Sequence, residues 1–85
     1  MTMDFLQDNW EDLANAIIIS AVKDYVNAYR RILRHPDNKP AREEMRKLER
    51  FFLGEWYAKL TDLDPQYLLD RIKEEVENDW LELPG

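Results

Sequence analysis

The sequence predicts an all-α fold, a three-helix antiparallel bundle with a long first helix, and three observations carry that prediction. Apolar residues recur at three- and four-residue steps over most of the chain. Turn signals fall at two places, Pro36-Asp37-Asn38-Lys39-Pro40 and Thr61-Asp62-Leu63-Asp64-Pro65, and only two glycines are present. With 45% hydrophobic and 35% charged residues, the composition is that of a folded helical domain, because disordered chains lack the apolar content that offsets chain entropy. Short connections make up-down-up the simplest packing, with residues 1–85 as a single domain. A domain of this size buries only about 60–65% of the surface its unfolded chain exposes, so the core is expected to be thin.

The first helix is expected over about residues 9–35. Asp8 stands three residues before Glu11, the capping-box spacing, in which the first side chain accepts from a free backbone N–H and the second reaches back. From Trp10 onward Leu13, Ala14, Ile17, Ala21, Val22, Tyr25, Tyr29, Ile32 and Leu33 keep helical spacing until Pro36 restricts His35. The second helix is expected over about 40–60. Asn38 or Lys39 precedes a first turn containing Pro40, where a missing N–H costs nothing. Ala41, Met45, Leu48, Phe52 and Trp56 form its main stripe, and Gly54 is where it would kink or split, since glycine costs about 1 kcal/mol relative to alanine in a helix. Asp64-Pro65, a cap followed by proline, starts a third helix over about 65–79 that uses Leu68, Leu69, Ile72 and Val76, frays near Trp80 and gives way to Pro84-Gly85.

Two segments carry more apolar surface than one helix face can bury. Phe51, Phe52, Leu53, Trp56 and Tyr57 fan over roughly 240° of circumference, against a usual buried stripe of about 100°. Ile17, Ile18 and Ile19 point in three directions. Such surface is covered either by two neighbouring helices or by another molecule, and an antiparallel two-fold dimer through the first helix would cover the isoleucines with the commonest oligomer symmetry. Phe52 and Trp56 are expected in the core. Phe51, Tyr57, Tyr29, Ile18 and Ile19 are the candidates for binding a partner, and Trp10, Trp56, Tyr57 and Phe51 are the largest potential anchors.

Charge is unevenly spread within the net −6. Residues 1–29 hold one base against five acids, residues 30–50 eight bases against four acids, and residues 51–85 three bases against nine acids. Arg30, Arg34, Arg42, Arg46 and Lys47 surround the first interhelix turn and are the candidates for holding a phosphate through forked guanidinium groups. The competing expectation is structural: bases near a helix C-terminus complement its dipole, and Glu43, Glu44 and Glu49 offer partners to the rest. The acidic stretch Asp70, Glu74, Glu75, Glu77, Asp79 and Glu82 reads first as a solvated face and second as an electrostatic docking surface that imitates nucleic acid. The anionic flanks weigh against duplex DNA as a partner.

Catalytic groups are scarce. Ser20 is the only serine and His35 the only histidine, so no triad can be assembled, and Ser20 is expected to bond a carbonyl one turn back. No Glu-x-x-His pair exists for a di-metal site, and Asp62 and Asp64 supply too few oxygens for calcium. No enzyme activity, metal or cofactor is expected. Cysteine is absent, the longest apolar run is far short of the roughly 20 residues of a bilayer span, and the acidic start lacks the basic region of a secretion signal. A cytoplasmic protein with no membrane contact is expected.

The segments Trp10-Glu11-Asp12-Leu13-Ala14-Asn15-Ala16-Ile17-Ile18, Asp24-Tyr25, Phe51-Phe52-Leu53-Gly54-Glu55-Trp56 and Leu60-Thr61-Asp62-Leu63-Asp64 resemble short helical accessory proteins encoded by phages and integrative elements of anaerobic Gram-positive bacteria. The resemblance spans about residues 8–76 and transfers no catalytic or binding residue. It implies a mobile-element accessory protein, a class that includes small inhibitors of host defence, among them anti-CRISPR proteins, and small regulators. The expected function is a non-catalytic interaction module that binds another protein, in the manner of such an inhibitor, and self-associates, with a dimer favoured. The alternative is a small nucleic-acid- or nucleotide-binding regulator using the basic cluster.

Overall fold

The computed structural model describes the backbone of residues 2–82 and the side chains of residues 10–79, and this part of the chain forms four helices and no strand. They are α1 (Thr2–Arg34), α2 (Lys39–Phe52), α3 (Glu55–Leu60) and α4 (Pro65–Glu82). α1 begins six residues before the expected capping box, because residues 2–8 contain no proline or glycine to stop a helix. The backbone is helical straight through Asp8, whose side chain lies outside the described residues, as do the Trp80 side chain and all of Pro84 and Gly85. Its 33 residues make α1 about 50 Å long. That length dominates a molecule of 55 × 25 × 18 Å, whose radius of gyration of 15.4 Å exceeds the roughly 12 Å of a compact chain this size. Among the described residues, no helix is long and apolar enough to cross a membrane.

The first reversal follows the sequence closely. The His35 N–H still donates to the Arg31 carbonyl, the Asn38 N–H donates to the His35 carbonyl, and Pro36 cannot continue the ladder. Asn38 then caps α2: its side-chain oxygen accepts from the Ala41 N–H at 3.1 Å, with Pro40 in the first turn. Arg42 donates back to the Pro36 carbonyl across the same turn.

At Gly54 the expected second helix divides. The Leu53 N–H closes α2 onto the Glu49 carbonyl, Gly54 turns extended at φ −93°, ψ 175°, and α3 starts at Glu55. A β-carbon on Gly54 would stand 2.9 Å from the Arg50 carbonyl oxygen, so the close approach of these backbones requires glycine. This break overturns the expected stripe. In an unbroken helix Trp56 would follow Phe52 onto the core face; with the backbone redirected, Tyr57 turns inward at 1% exposure and Trp56 outward at 50%. Thr61 and Asp64 then organise the link to α4, the first accepting from the Leu63 N–H and the second from the Gln66 N–H at 3.0 Å.

Side-chain levels give the helix directions. Tyr25 of α1, Glu49 of α2 and Lys73 of α4 meet at one level, and Tyr29 meets Glu77 one turn further along both α1 and α4. α4 therefore runs parallel to α1. α2 runs antiparallel to it after a loop of residues 35–38. Ala14, Ala21 and Ala28 recur on the buried side of α1, where the small side chain lets neighbouring helices approach closely. The core combines Ala21, Tyr25 and Ala28 with Met45 and Phe52, Tyr57, and Leu69, Ile72 and Val76. Phe52 is its centre, with ring centroids 6.1 Å from Tyr25, 5.3 Å from Phe51 and 5.7 Å from Tyr57, all edge-to-face.

Truncation separates the two aromatic residues that the sequence placed together. Phe52→Ala empties the centre of the core and lowers stability by about 3–5 kcal/mol, whereas Trp56→Ala costs about 1 kcal/mol or less, as urea denaturation followed by circular dichroism will show. Gly54→Ala forces the end of α2 to shift and costs about 1–2 kcal/mol net of the entropy alanine removes from the unfolded chain; thermal melting should register it at about 4–8 °C per kcal/mol.

Candidate interaction surfaces

Trp10 on α1 and Trp56 on α3 pack edge-to-face, ring centroids 6.3 Å apart at 81°. Each is about half exposed, at 43% and 50%. Leu13, one turn along from Trp10, is exposed as well, so the two indoles sit beside further apolar surface rather than under a helix. Glu11 and Glu55 adjoin the two tryptophans in the chain and are exposed, which gives the patch acidic neighbours. The sequence marked both tryptophans as large anchors, yet it assigned Trp56 to the core and Leu13 to the helix stripe. Only the redirected backbone at Gly54 reveals the pair as a surface feature.

The other partner-binding candidates divide. Ile19 is 54% exposed. Tyr57 is buried and donates its hydroxyl to the Leu63 carbonyl at 3.0 Å, so it locks the link to α4 and is not available as an anchor. Phe51 and Ile18 are half-buried and pack on the core, Phe51 with its ring 6.2 Å from Tyr57. Tyr29, also half-buried, donates to Glu77 and ties α1 to α4. The crowding read as a surplus for partners is mostly consumed inside the chain, because α3 folds back over α1 and offers the second neighbour that the aromatic cluster needs.

The basic candidates do not converge on one point. Arg30 leans toward α4 and meets Asp79 at 3.5 Å, an exposed pair of small energetic weight. Arg42 is taken up by the Pro36 carbonyl. Arg34, Arg46 and Lys47 have no carboxylate within 4 Å among the described residues, and the expected partners Glu43 and Glu44 hold no base there. Glu49 is occupied instead by Tyr25 at 2.9 Å and Lys73 at 3.8 Å. What the sequence described as a cluster is a ridge: Lys39, Arg42, Arg46 and Arg50 lie along one flank of α2 over about 16 Å, with Arg46 and Arg50 beside an open groove that also touches Leu53. The acidic stretch is largely engaged within the chain. Glu74 and Glu75 meet Arg71, Asp70 accepts from Gln66, and Glu77 and Asp79 serve α1, while the Glu82 side chain lies outside the described residues.

Ser20 is exposed on α1, not folded into an apolar face, and His35 is exposed beyond the end of that helix, about 22 Å away along its axis. No group of three histidine or acidic side chains suited to a metal ion occurs among the described residues. The chain matches no protein-family model, no curated protein and no solved structure.

Burial pushes the Tyr25 phenol far above its ordinary value, reinforced by Glu49, and burial followed by Glu77 pushes Tyr29 up to about 12. Tyr57 is raised by burial and then by Asp64. Neutral phenols are thus favoured by the fold. Their contribution is complete below the unfolded value of about 10 and is lost as pH rises through the folded values. The urea midpoint of the protein should therefore fall between about pH 10 and pH 12, and Tyr29→Phe, which has no proton to lose, should show a smaller fall across that window.

Proposed function

We propose that this protein is a small non-catalytic interaction module that works by binding another protein, with Trp10, Trp56 and Leu13 as its contact surface. The observation that carries this reading is the half-exposed tryptophan pair. Two indoles packed edge-to-face hold each other in place, so little conformational entropy remains to be lost on binding, and tryptophan dominates binding hot spots once a partner excludes water. Acidic neighbours favour a partner surface with basic residues around an apolar pocket. The resemblance of residues 8–76 to accessory proteins of phages and integrative elements supports a target in a host defence system, bound and blocked in the cytoplasm without chemistry. Under this reading the chain is a three-helix antiparallel bundle whose second helix is broken at Gly54, and α3 is the piece that carries the contact.

A second reading rests on the solvent-facing ridge of α2: Lys39, Arg42, Arg46 and Arg50 could follow a phosphate backbone or hold a nucleotide. The two readings separate in one capture experiment. Tagged protein is washed at low and then high salt in extracts of its natural background, alongside Trp10→Ala/Trp56→Ala and Arg42→Glu/Arg46→Glu variants. A protein retained through high salt, bound at least about 30-fold more weakly by the tryptophan variant and unchanged by the arginine variant, is the expected result. Nucleic acid that is lost at high salt and by the arginine variant alone would replace the leading reading with the second.

A further inference from the structure

We infer that two copies of this chain pair through an antiparallel α1–α1 seam made by Asp12, Ala16, Ile19, Lys23, Val26 and Arg30. These residues follow one another at alternating four- and three-residue steps, the spacing of a two-helix coiled-coil seam; Asp12, Ala16, Ile19, Lys23 and Arg30 are exposed, and Val26 packs at the edge of the core beside α4. None of the six is buried, and Ile19 is 54% exposed.

Charge order selects a second copy, reversed in direction, as the occupant. The seam is acidic at its N-terminal end, apolar through Ala16 and Ile19, and basic at its C-terminal end. Two such helices laid antiparallel about the level of Ala21 bring Asp12 opposite Arg30, Ala16 opposite Val26, and Ile19 opposite the aliphatic stem of Lys23, each contact occurring twice by symmetry. A parallel pair would oppose like charges at both ends. Arg30 has donors to spare, since its in-chain contact with Asp79 is a single exposed one at 3.5 Å.

A groove adjoins the seam and shares Val26 and Arg30 with it. α1 and α4 leave this groove open, floored by Val22, Val26, Ile72 and Val76. In the antiparallel pair the partner's Ile19 enters the hole bounded by Ile19, Val22, Lys23 and Val26, at the edge of that groove, so α4 of each copy flanks the seam. Trp10 and Ile19 are nine residues apart, which places them on opposite sides of α1 at about 100° per residue. The pair therefore keeps both tryptophan surfaces outside and presents two of them, and loss of partner binding at the tryptophans would leave it intact.

The test is sedimentation equilibrium on the full chain at low ionic strength. The wild-type protein should dimerise, Ile19→Glu should weaken the dimer at least about 30-fold, and Asp12→Lys or Arg30→Glu alone should weaken it about tenfold. The combined Asp12→Lys/Arg30→Glu chain, in which the opposed charges are exchanged, should return to within about threefold of wild type. Circular dichroism should show unchanged helix in each variant, because every altered side chain is exposed. A monomer at all concentrations up to about 1 mM, a dimer indifferent to Ile19→Glu, or no recovery in the exchanged chain would each overturn the inference.

Discussion

Phe52 is the one side chain that all of the helical elements around it need. Its ring touches Tyr25 from α1, Phe51 from its own helix and Tyr57 from α3, and it lies in the same buried cluster as Leu69 and Ile72 of α4. In a chain of 85 residues with a thin core, one fully buried aromatic side chain is a large part of the apolar area removed from water. The polar links are arranged around it rather than within it. Glu49 accepts from Tyr25 and faces Lys73, so a single carboxylate joins α1, α2 and α4 at the edge of the aromatic cluster. That carboxylate keeps solvent on one side, which spares it the full cost of burial.

Most of the fold was legible because its punctuation is local. Asn38 and Pro40 start α2 through a cap and an absent donor, and Asp64 and Pro65 start α4 in the same way, so each is settled within a few residues. What could not be read was direction after Gly54. Whether a glycine bends, splits or merely weakens a helix depends on the backbone path it takes, here extended with the Arg50 carbonyl oxygen 2.9 Å from where a β-carbon would stand, and residue types alone do not show that path. The error then propagates: the residue assigned inward, Trp56, faces out, and the one held for a partner, Tyr57, faces in. The start of α1 was missed for a related reason, since a capping pattern at Asp8 marks where a helix can begin and not where it must.

The candidate surfaces were legible as residue types and not as places. Trp10 and Trp56 stood out by size, but their contact joins elements 46 residues apart and rests on the α3 turn. The basic block was visible as composition, and folding sorts it: Arg30 goes to the α4 side, Arg42 braces a turn, and Lys39, Arg46 and Arg50 continue its line along α2 in solvent. The acidic block shows the opposite outcome, with most of its carboxylates assigned to neighbours on α1 and α4. Charge runs acquire their meaning from the helix faces they fall on, and those faces follow from the apolar periodicity beneath them.

The loop of residues 35–38 also orders events in time. Because α2 folds back on α1 across a connection this short, the contacts of that hairpin are local, and little loop entropy is lost in closing it. The bonds from α1 to α4, by contrast, join residues 48 and 49 positions apart. A chain emerging from the ribosome has its first two helices available to meet before α4 exists, and the strip of α1 that packs beside α4 stays open until α4 follows. Until then Val22 and Val26 lack the Ile72 and Val76 side chains that wall their groove, and the early hairpin carries an apolar strip that the finished fold partly covers.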